Sequence, residues 1–338
     1  MMTRLLLSLM LLGAGNAFGQ EAPSFKGDGT PFIPVDCEIV WAAPTNQLPK
    51  ALWVYKTIPQ HFSDTTISNL LALASFTTRD KINVTAEELA QLSPEDRAKD
   101  EDAFGFENEN RRHNLAVYPA TGYIFYMDQK VDGIRSPFED VPSEAMAQEL
   151  GLILLAQIGI PRSDLANRRD SSEPLTFKQP TTRGHFDREQ RKLVKETDSR
   201  GVMFVRQIDG VNFAGNGYEG GFYVRFASYA EVAELKLVWR NLQPYKKYQV
   251  ASPDQIMQWI KEGKAVVVTM PDVHKVNPRE VKKLTITEIS LLYAGEPGET
   301  LQDLTYPFAS LSAIVDTGRT NIGIMLYCPI LSDKLVGP

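Results

Sequence analysis

Between residues 191 and 239, apolar side chains recur at every second position in run after run. "RKLVKETD" (191–198) and "GVMFVRQID" (201–209) are followed by Phe222, Val224 and Phe226, then by Leu235, Leu237 and Trp239. A period of two sends alternate side chains to opposite faces of a pleated strand, so each run has a face to bury and needs neighbours to bury it against. The same grammar returns in "AVVVTM" (265–270), "LTITEISLLYA" (284–294), "LTYPFASLSAIV" (304–315) and "NIGIMLYCPIL" (321–331). These strands follow one another instead of alternating with helices. That order predicts antiparallel sheet in the α+β class, not a doubly wound parallel sheet.

One stretch inside this region offers a competing reading. Gly215-Asn216-Gly217-Tyr218-Glu219-Gly220 is a G-x-G-x-x-G string preceded by a strand. A dinucleotide cradle also needs a helix opening at the last glycine, so that its N–H groups face the pyrophosphate. The residues that follow, Phe222-Tyr223-Val224-Arg225-Phe226, are β-branched and aromatic with period two, which favours a strand. The glycines are therefore expected to turn a β-hairpin, and no cofactor is expected.

The first half reads in a similar way. "CEIVWAA" (37–43) and "LPKALWVYKT" (48–57) are strand-like, and Ile67, Leu70, Leu71 and Ala74 sit at helical spacing behind Ser63 or Asp64 as cap. Thr85 and Glu88 form a capping-box pattern. "NLAVYPATGYIFYMD" (114–128) reads as a hairpin apolar on both faces, which calls for a covering helix. Residues 142–160 supply one, with Ser143 as cap, Met146, Leu150, Ile153, Leu154 and Ile158 as the apolar stripe, and Pro161 as stop. "SPDQIMQWIKEG" (252–263) is a second capped helix. The expected organisation is a leader at 1–19, an extended lead-in at 20–35, an N-terminal α+β module at 36–165, a linker at 166–185 and a C-terminal module at 186–338. Each module is expected to be an antiparallel β-sheet covered by one or two helices.

The leader follows from Arg4, the short apolar run Leu5–Leu12 and the small residues Ala17 and Gly19, which together predict cleavage before Gln20 and export to the periplasm or medium. No later stretch reaches the ~18 apolar residues of a membrane helix. The formal net charge of -6 gives no basic footprint for nucleic acid. Two cysteines, Cys37 and Cys328, lie near the two ends. Outside the cytosol they either bridge or stay as two separate buried thiols, and the sequence leaves both open.

Catalytic signatures are absent. His61, His113, His185 and His274 show no metal-ligand spacing, and the Asp100–Asp102 run lacks the spacing of a calcium loop. His185 and Asp187 are close enough in sequence to pair as base and orienter, but no nucleophile motif accompanies them. Tyr218, Tyr223, Trp239, Arg240 and Tyr245 are the candidate ligand platform, read against ordinary sheet packing.

The segment "FVRQIDGVNFAGNGYEGGFYVRFASYAEVAELKLVWRNL", followed by "SPDQIMQWIKEGKA", resembles the PepSY-type module of protease propeptides and of exported YycH/YycI-type regulatory proteins. The shared features are a strand, a D-G turn, a glycine-bearing hairpin, another strand and a capped helix. The resemblance implies a non-catalytic exported protein that binds a protein or cell-envelope partner, such as a protease. YycH/YycI-type proteins carry an N-terminal membrane helix, whereas a cleavable leader is expected here. The expected function is thus binding or regulation, with a secreted hydrolase of dispersed active site or a carbohydrate-binding module as alternatives.

Overall fold

The computed structural model describes residues 30–336, apart from 35, 47, 74–75, 77–80, 101, 108–112, 129–139, 188, 216–219 and 269–277. The expected leader and most of the lead-in lie outside the described residues. In chain order, the first strands are β1 (Thr30–Pro31), β2 (Glu38–Trp41), β3 (Ala51–Ile58), β4 (Lys81–Asn83), β5 (Phe104–Glu107), β6 (His113–Tyr118) and β7 (Tyr123–Asp128). The middle of the chain supplies β8 (Thr176–Asp187), β9 (Lys192–Val205), β10 (Gln207–Ile208), β11 (Val211–Ala214), β12 (Gly221–Phe226), β13 (Val232–Val238) and β14 (Asn241–Val250). Then come β15 (Val266–Val267), β16 (Lys283–Ala294), β17 (Leu304–Thr305), β18 (Pro307–Asp316), β19 (Asn321–Pro329) and β20 (Leu331–Leu335). The helices are α1 (Asp64–Leu73), α2 (Ala86–Gln91), α3 (Pro94–Asp100), α4 (Glu144–Gln157) and α5 (Pro253–Lys261).

These strands form three sheets. One is antiparallel throughout, in the order β4-β5-β6-β7-β13-β12-β9-β8. Helices α1 and α4 lie on it, and their Leu70, Leu71, Ala147 and Leu155 share a core with Phe106, Val117, Phe204, Phe222, Val224 and Leu235. The second sheet runs β1-β15-β19-β18-β16-β11-β10, and the third β17-β3-β14-β20. Both belong to a second core, which α5 joins through Ile256 and Ile260. In the second sheet β18 takes one edge of β16. The other edge is shared by two parallel partners, β2 at the Lys283 end and β11 at the Ala294 end.

The chain path differs from the expected order of modules. β3 and β14 pair antiparallel from Asn241↔Ile58 to Gln249↔Ala51, with a register shift between Pro244 and Lys246. The chain therefore leaves the third sheet at Ile58 and re-enters it beside the point of departure at Asn241. Residues 59–240 between them build the helix-covered sheet, except for the β10–β11 hairpin, which reaches back to β16. That hairpin turns at Asp209 and Gly210, whose φ of 51° and 76° suit a two-residue turn. Tyr55 of β3 holds it by donating its phenol to the Asp209 carboxylate.

Three expectations are corrected here. The α+β class with two helix-covered sheets gives way to a strand-dominated fold of several sheets that include a half-barrel. Helices α2 and α3 bury no residue, α1 and α4 cover the antiparallel sheet, and the second core takes the single helix α5. Period two reports that a face is buried, but not whether a helix or another sheet buries it. Secondly, the segment read as a linker at 166–185 carries much of β8, and β7 of the first expected module pairs with β13 of the second. Local grammar cannot reveal a partner so remote in sequence. Thirdly, the strands that flank the glycine string do not pair with each other: β11 pairs with β10 and β16, whereas β12 pairs with β9 and β13, and most of the string, 216–219, lies outside the described residues.

Helix α4 buries part of its expected face: Ile158 is buried, and Leu150 and Leu154 pack against the core. Ser143 caps it as read, accepting from Met146 N. However, Met146 and Ile153 are 49% and 48% exposed, while Ala147, Gly151 and Leu155 are buried. The cause is close approach: a Cβ at Gly151 would lie 2.6 Å from Phe204 Cε2. The face with the smallest side chains wins because it brings the whole helix onto the sheet.

Candidate functional site

The chain returns from the helix-covered unit to β14 through Trp239 and Arg240, two of the five residues of the expected platform. Trp239 N donates to the Gly122 carbonyl at 2.8 Å, fixing the strand end. Arg240 turns away into the second core. Its Nη1 donates to Glu296 O at 2.9 Å, and its Nη2 to Pro297 O at 2.8 Å and Thr300 O at 3.0 Å. It therefore fastens the loop between β16 and β17 to the junction of the two cores.

Arg206 lies against it. It follows β9, and its main chain is fixed on both sides: its N–H donates to Gly220 O at 2.9 Å, and its carbonyl accepts from Phe213 N at 2.8 Å. The guanidinium carbon is 4.7 Å from the Trp239 ring centroid and 5.1 Å from that of Phe213. Nη1 donates to Arg240 O at 2.7 Å. The residue is only 9% exposed. Among the described residues that is the side chain's sole hydrogen bond, and its buried Nε meets no acceptor. A guanidinium carries five N–H donors, so most of them here have no protein partner. Burial pulls the Arg206 pKa down to about 10, with Asp164 opposing and Arg240 adding to the fall.

Both arginines line a cleft of about 370 Å3. His61, Phe62 and Ser63, from the segment entering α1, form one wall, and Ile158, Ile160 and Asp164, from the segment leaving α4, form another. The walls are tied together: Thr66 Oγ1 donates to Ile158 O at 3.2 Å, and Ser63 Oγ accepts from Thr66 N at 3.1 Å. The cleft thus has a mixed lining: Gln60, His61, Ser63, Thr66 and Asn241 stand beside Phe62, Ile160 and Trp239, with two guanidiniums against one carboxylate.

The other sequence candidates lie elsewhere. Tyr223 is on β12 with its ring over Gly201, where a Cβ would come within 2.8 Å of the phenol oxygen. Tyr245 is on β14, exposed, with Lys246 Nζ 5.0 Å from its ring centroid. Tyr218 lies outside the described residues. Trp239 is 5% exposed and packs on Arg206. The described members thus do not assemble into a single open stacking surface. Cys37 and Cys328 are both free thiols here; Cys37 Sγ donates to the Glu38 carbonyl, and Cys328 is buried on β19. Burial raises both, Cys328 to about 12. His185 and Asp187 sit at the far end of β8, opposite Val194 and Lys192 of β9. His274 lies outside the described residues. Among the described residues no three His, Cys, Asp or Glu side chains cluster as metal ligands. Arg206 itself was missed. Its only signal is a charge placed inside the apolar run Phe204-Val205-Arg206.

No family model matches this chain, and no curated protein matches it. Among solved structures, an uncharacterized protein from Eubacterium rectale aligns over 91% of this chain and 92% of its own, at 11% identity and a TM-score of 0.45.

Proposed function

We propose that the chain is an exported, non-catalytic binding protein that receives a small ligand in the cleft between its two cores. The observation that carries this reading is Arg206: a nearly buried guanidinium with one protein hydrogen bond, on the wall of a cavity of about 370 Å3. Burying such a group without acceptors is costly, and a ligand that supplies them repays the cost. The cavity falls within the usual range for small-molecule sites. The leader pattern at 1–19 supports export, and the resemblance to PepSY-type modules points the same way. Among the described residues no helix is long and apolar enough to cross a membrane. The test is a thermal-shift survey of the purified protein against small acids, amides, amines and sugars, with the tryptophan fluorescence lost in Trp239→Phe as the reporter of the cleft. At least one class is expected to raise the melting temperature and perturb the fluorescence. No response from any class contradicts the reading.

A second reading, capture of a protein partner, is favoured by β8. It is the last strand of its sheet, and Phe177 and Phe186 on it, with Leu193 opposite Phe186, are exposed. A long free edge with apolar side chains is a template for strand addition. A proline at Thr182 on that edge is expected to abolish capture of such a partner and leave cleft binding unchanged.

A further inference from the structure

Strands β8 and β9 run on past the sheet they belong to. β12, the other neighbour of β9, pairs with it only over residues 200–205. Among the described residues, the stretch from Thr181↔Ser199 to Asp187↔Lys192 has no third strand beside it, so it is a two-stranded ribbon. At roughly 3.3 Å per residue, its β8 arm reaches about 20 Å beyond the sheet. Such a ribbon has little of its own to bury side chains against.

Its end is nevertheless apolar. Phe186 and Leu193 are cross-strand partners, 61% and 63% exposed, and no other Phe or Leu among the described residues is as exposed. Leu193 lies along the ribbon, since a Cβ on Gly184 would be 3.4 Å from its Cδ1. Lys195, opposite Gly184, stands on the same face by the period of two, and Arg191 and Lys192 follow at the turn, all three exposed. From the rung Arg183↔Glu196 outward, residues 183–196 hold five basic and three acidic residues, a net +2 in a chain whose net charge is -6. An anionic surface therefore attracts this end of the molecule and repels the body behind it. Single exposed apolar side chains are ordinary, but two paired at the end of a projecting ribbon and rimmed by basic residues form a patch.

We infer that the β8–β9 ribbon docks tip-first on an anionic lipid surface, with Phe186 and Leu193 entering the apolar layer and Arg191, Lys192 and Lys195 staying among the headgroups. A bilayer is charged outside and apolar beneath, which matches a basic rim around an apolar pair. It also accepts a convex tip without a complementary pocket. The contact is peripheral and reversible, because two side chains bury far less apolar surface than a spanning segment. This inference stands apart from the reading of the cleft.

Co-sedimentation of the purified protein with vesicles tests it. One set is phosphatidylcholine alone, and the other is phosphatidylcholine with phosphatidylglycerol. The protein is expected to bind the anionic vesicles at least about tenfold more tightly than the neutral ones, and less tightly as salt is raised. The double variant Phe186→Ser, Leu193→Ser is expected to lose about tenfold or more in vesicle affinity with an unchanged melting temperature, since both side chains are exposed. Phe186→Trp is expected to give a blue-shifted emission on anionic vesicles only. Binding to neither set, equal binding to both, or binding that survives the double variant overturns the inference. Retention of a cell-envelope protein by the wild type but not by the double variant, without vesicle binding, overturns it in favour of a protein partner.

Discussion

Arg206 donates through Nη1 to the main-chain oxygen of Arg240 at 2.7 Å, while the Arg240 side chain leaves in the other direction toward Glu296, Pro297 and Thr300. Adjacent in space, the two arginines have different tasks. Arg240 satisfies three carbonyls and is structural. Arg206 makes one hydrogen bond and is under-used.

That division predicts unequal costs. Arg240→Met strands three loop carbonyls and is expected to lose about 3 kcal/mol, at roughly 1 kcal/mol or more for each orphaned acceptor. Arg206→Met also orphans one carbonyl but removes a desolvated charge, so its cost is expected to stay within about 1 kcal/mol. Urea unfolding measures both. A larger loss at Arg206 than at Arg240 contradicts the division.

Gly151→Ala sets two local terms against each other. Alanine gains about 1 kcal/mol of helix propensity over glycine. The new Cβ, however, meets Phe204 Cε2 at 2.6 Å, and Phe204 is fully buried with little room to yield. Overpacking of this kind costs about 1–3 kcal/mol, so the variant is expected to melt at a lower temperature than wild type. A higher melting temperature shows that the helix does not rest on the sheet through this face.

Val224 is fully buried on β12, with β9 on one side and β13 on the other. Val224→Asp places an unpaired carboxylate in the core of the helix-covered unit and is expected to cost more than about 4 kcal/mol, enough to unfold that unit. Limited proteolysis with mapping of the cuts reads the result. Cuts are expected to concentrate within 59–240, and a digestion pattern like that of wild type contradicts the strand assignment.

Stability is expected to fall at alkaline pH. Burial pushes the Cys328 thiol from 9.0 to about 12. Burial also raises Tyr55, which donates to Asp209, and Tyr293 beside it. These groups keep their protons in the folded chain at pH values where the unfolded chain has released them. Their contribution is therefore complete below about pH 9 and is lost as pH climbs through the folded values. The urea midpoint is expected to drop from neutral pH to about pH 11. A flat or rising midpoint contradicts these assignments.

What the sequence made legible is local. The runs at β9, β12 and β13 follow from side-chain period. The Thr85–Glu88 capping box and the Ser143 and Ser252 caps follow from hydrogen-bonding chemistry within one turn. What it hid depends on partners distant in the chain. Nothing in the pattern of Leu235 says that its neighbour is Tyr126, or that Ile58 and Asn241 meet across an inserted unit. In helix α4 the expected stripe holds at Leu150, Leu154 and Ile158, but Ala147 and Gly151, not the larger Met146 and Ile153, make the closest approach to the sheet. Trp239 and Arg240, expected as part of a ligand platform or as ordinary sheet packing, line a cleft. Arg206 stayed hidden because its meaning comes from Trp239, Phe213 and Arg240 closing around it.

The most direct measurement is a crystal of the protein grown with the strongest stabiliser from the thermal-shift survey. The ligand is expected inside the cleft between the two cores, among the residues that line it. A well-ordered crystal with the cleft empty and that ligand bound elsewhere contradicts the account.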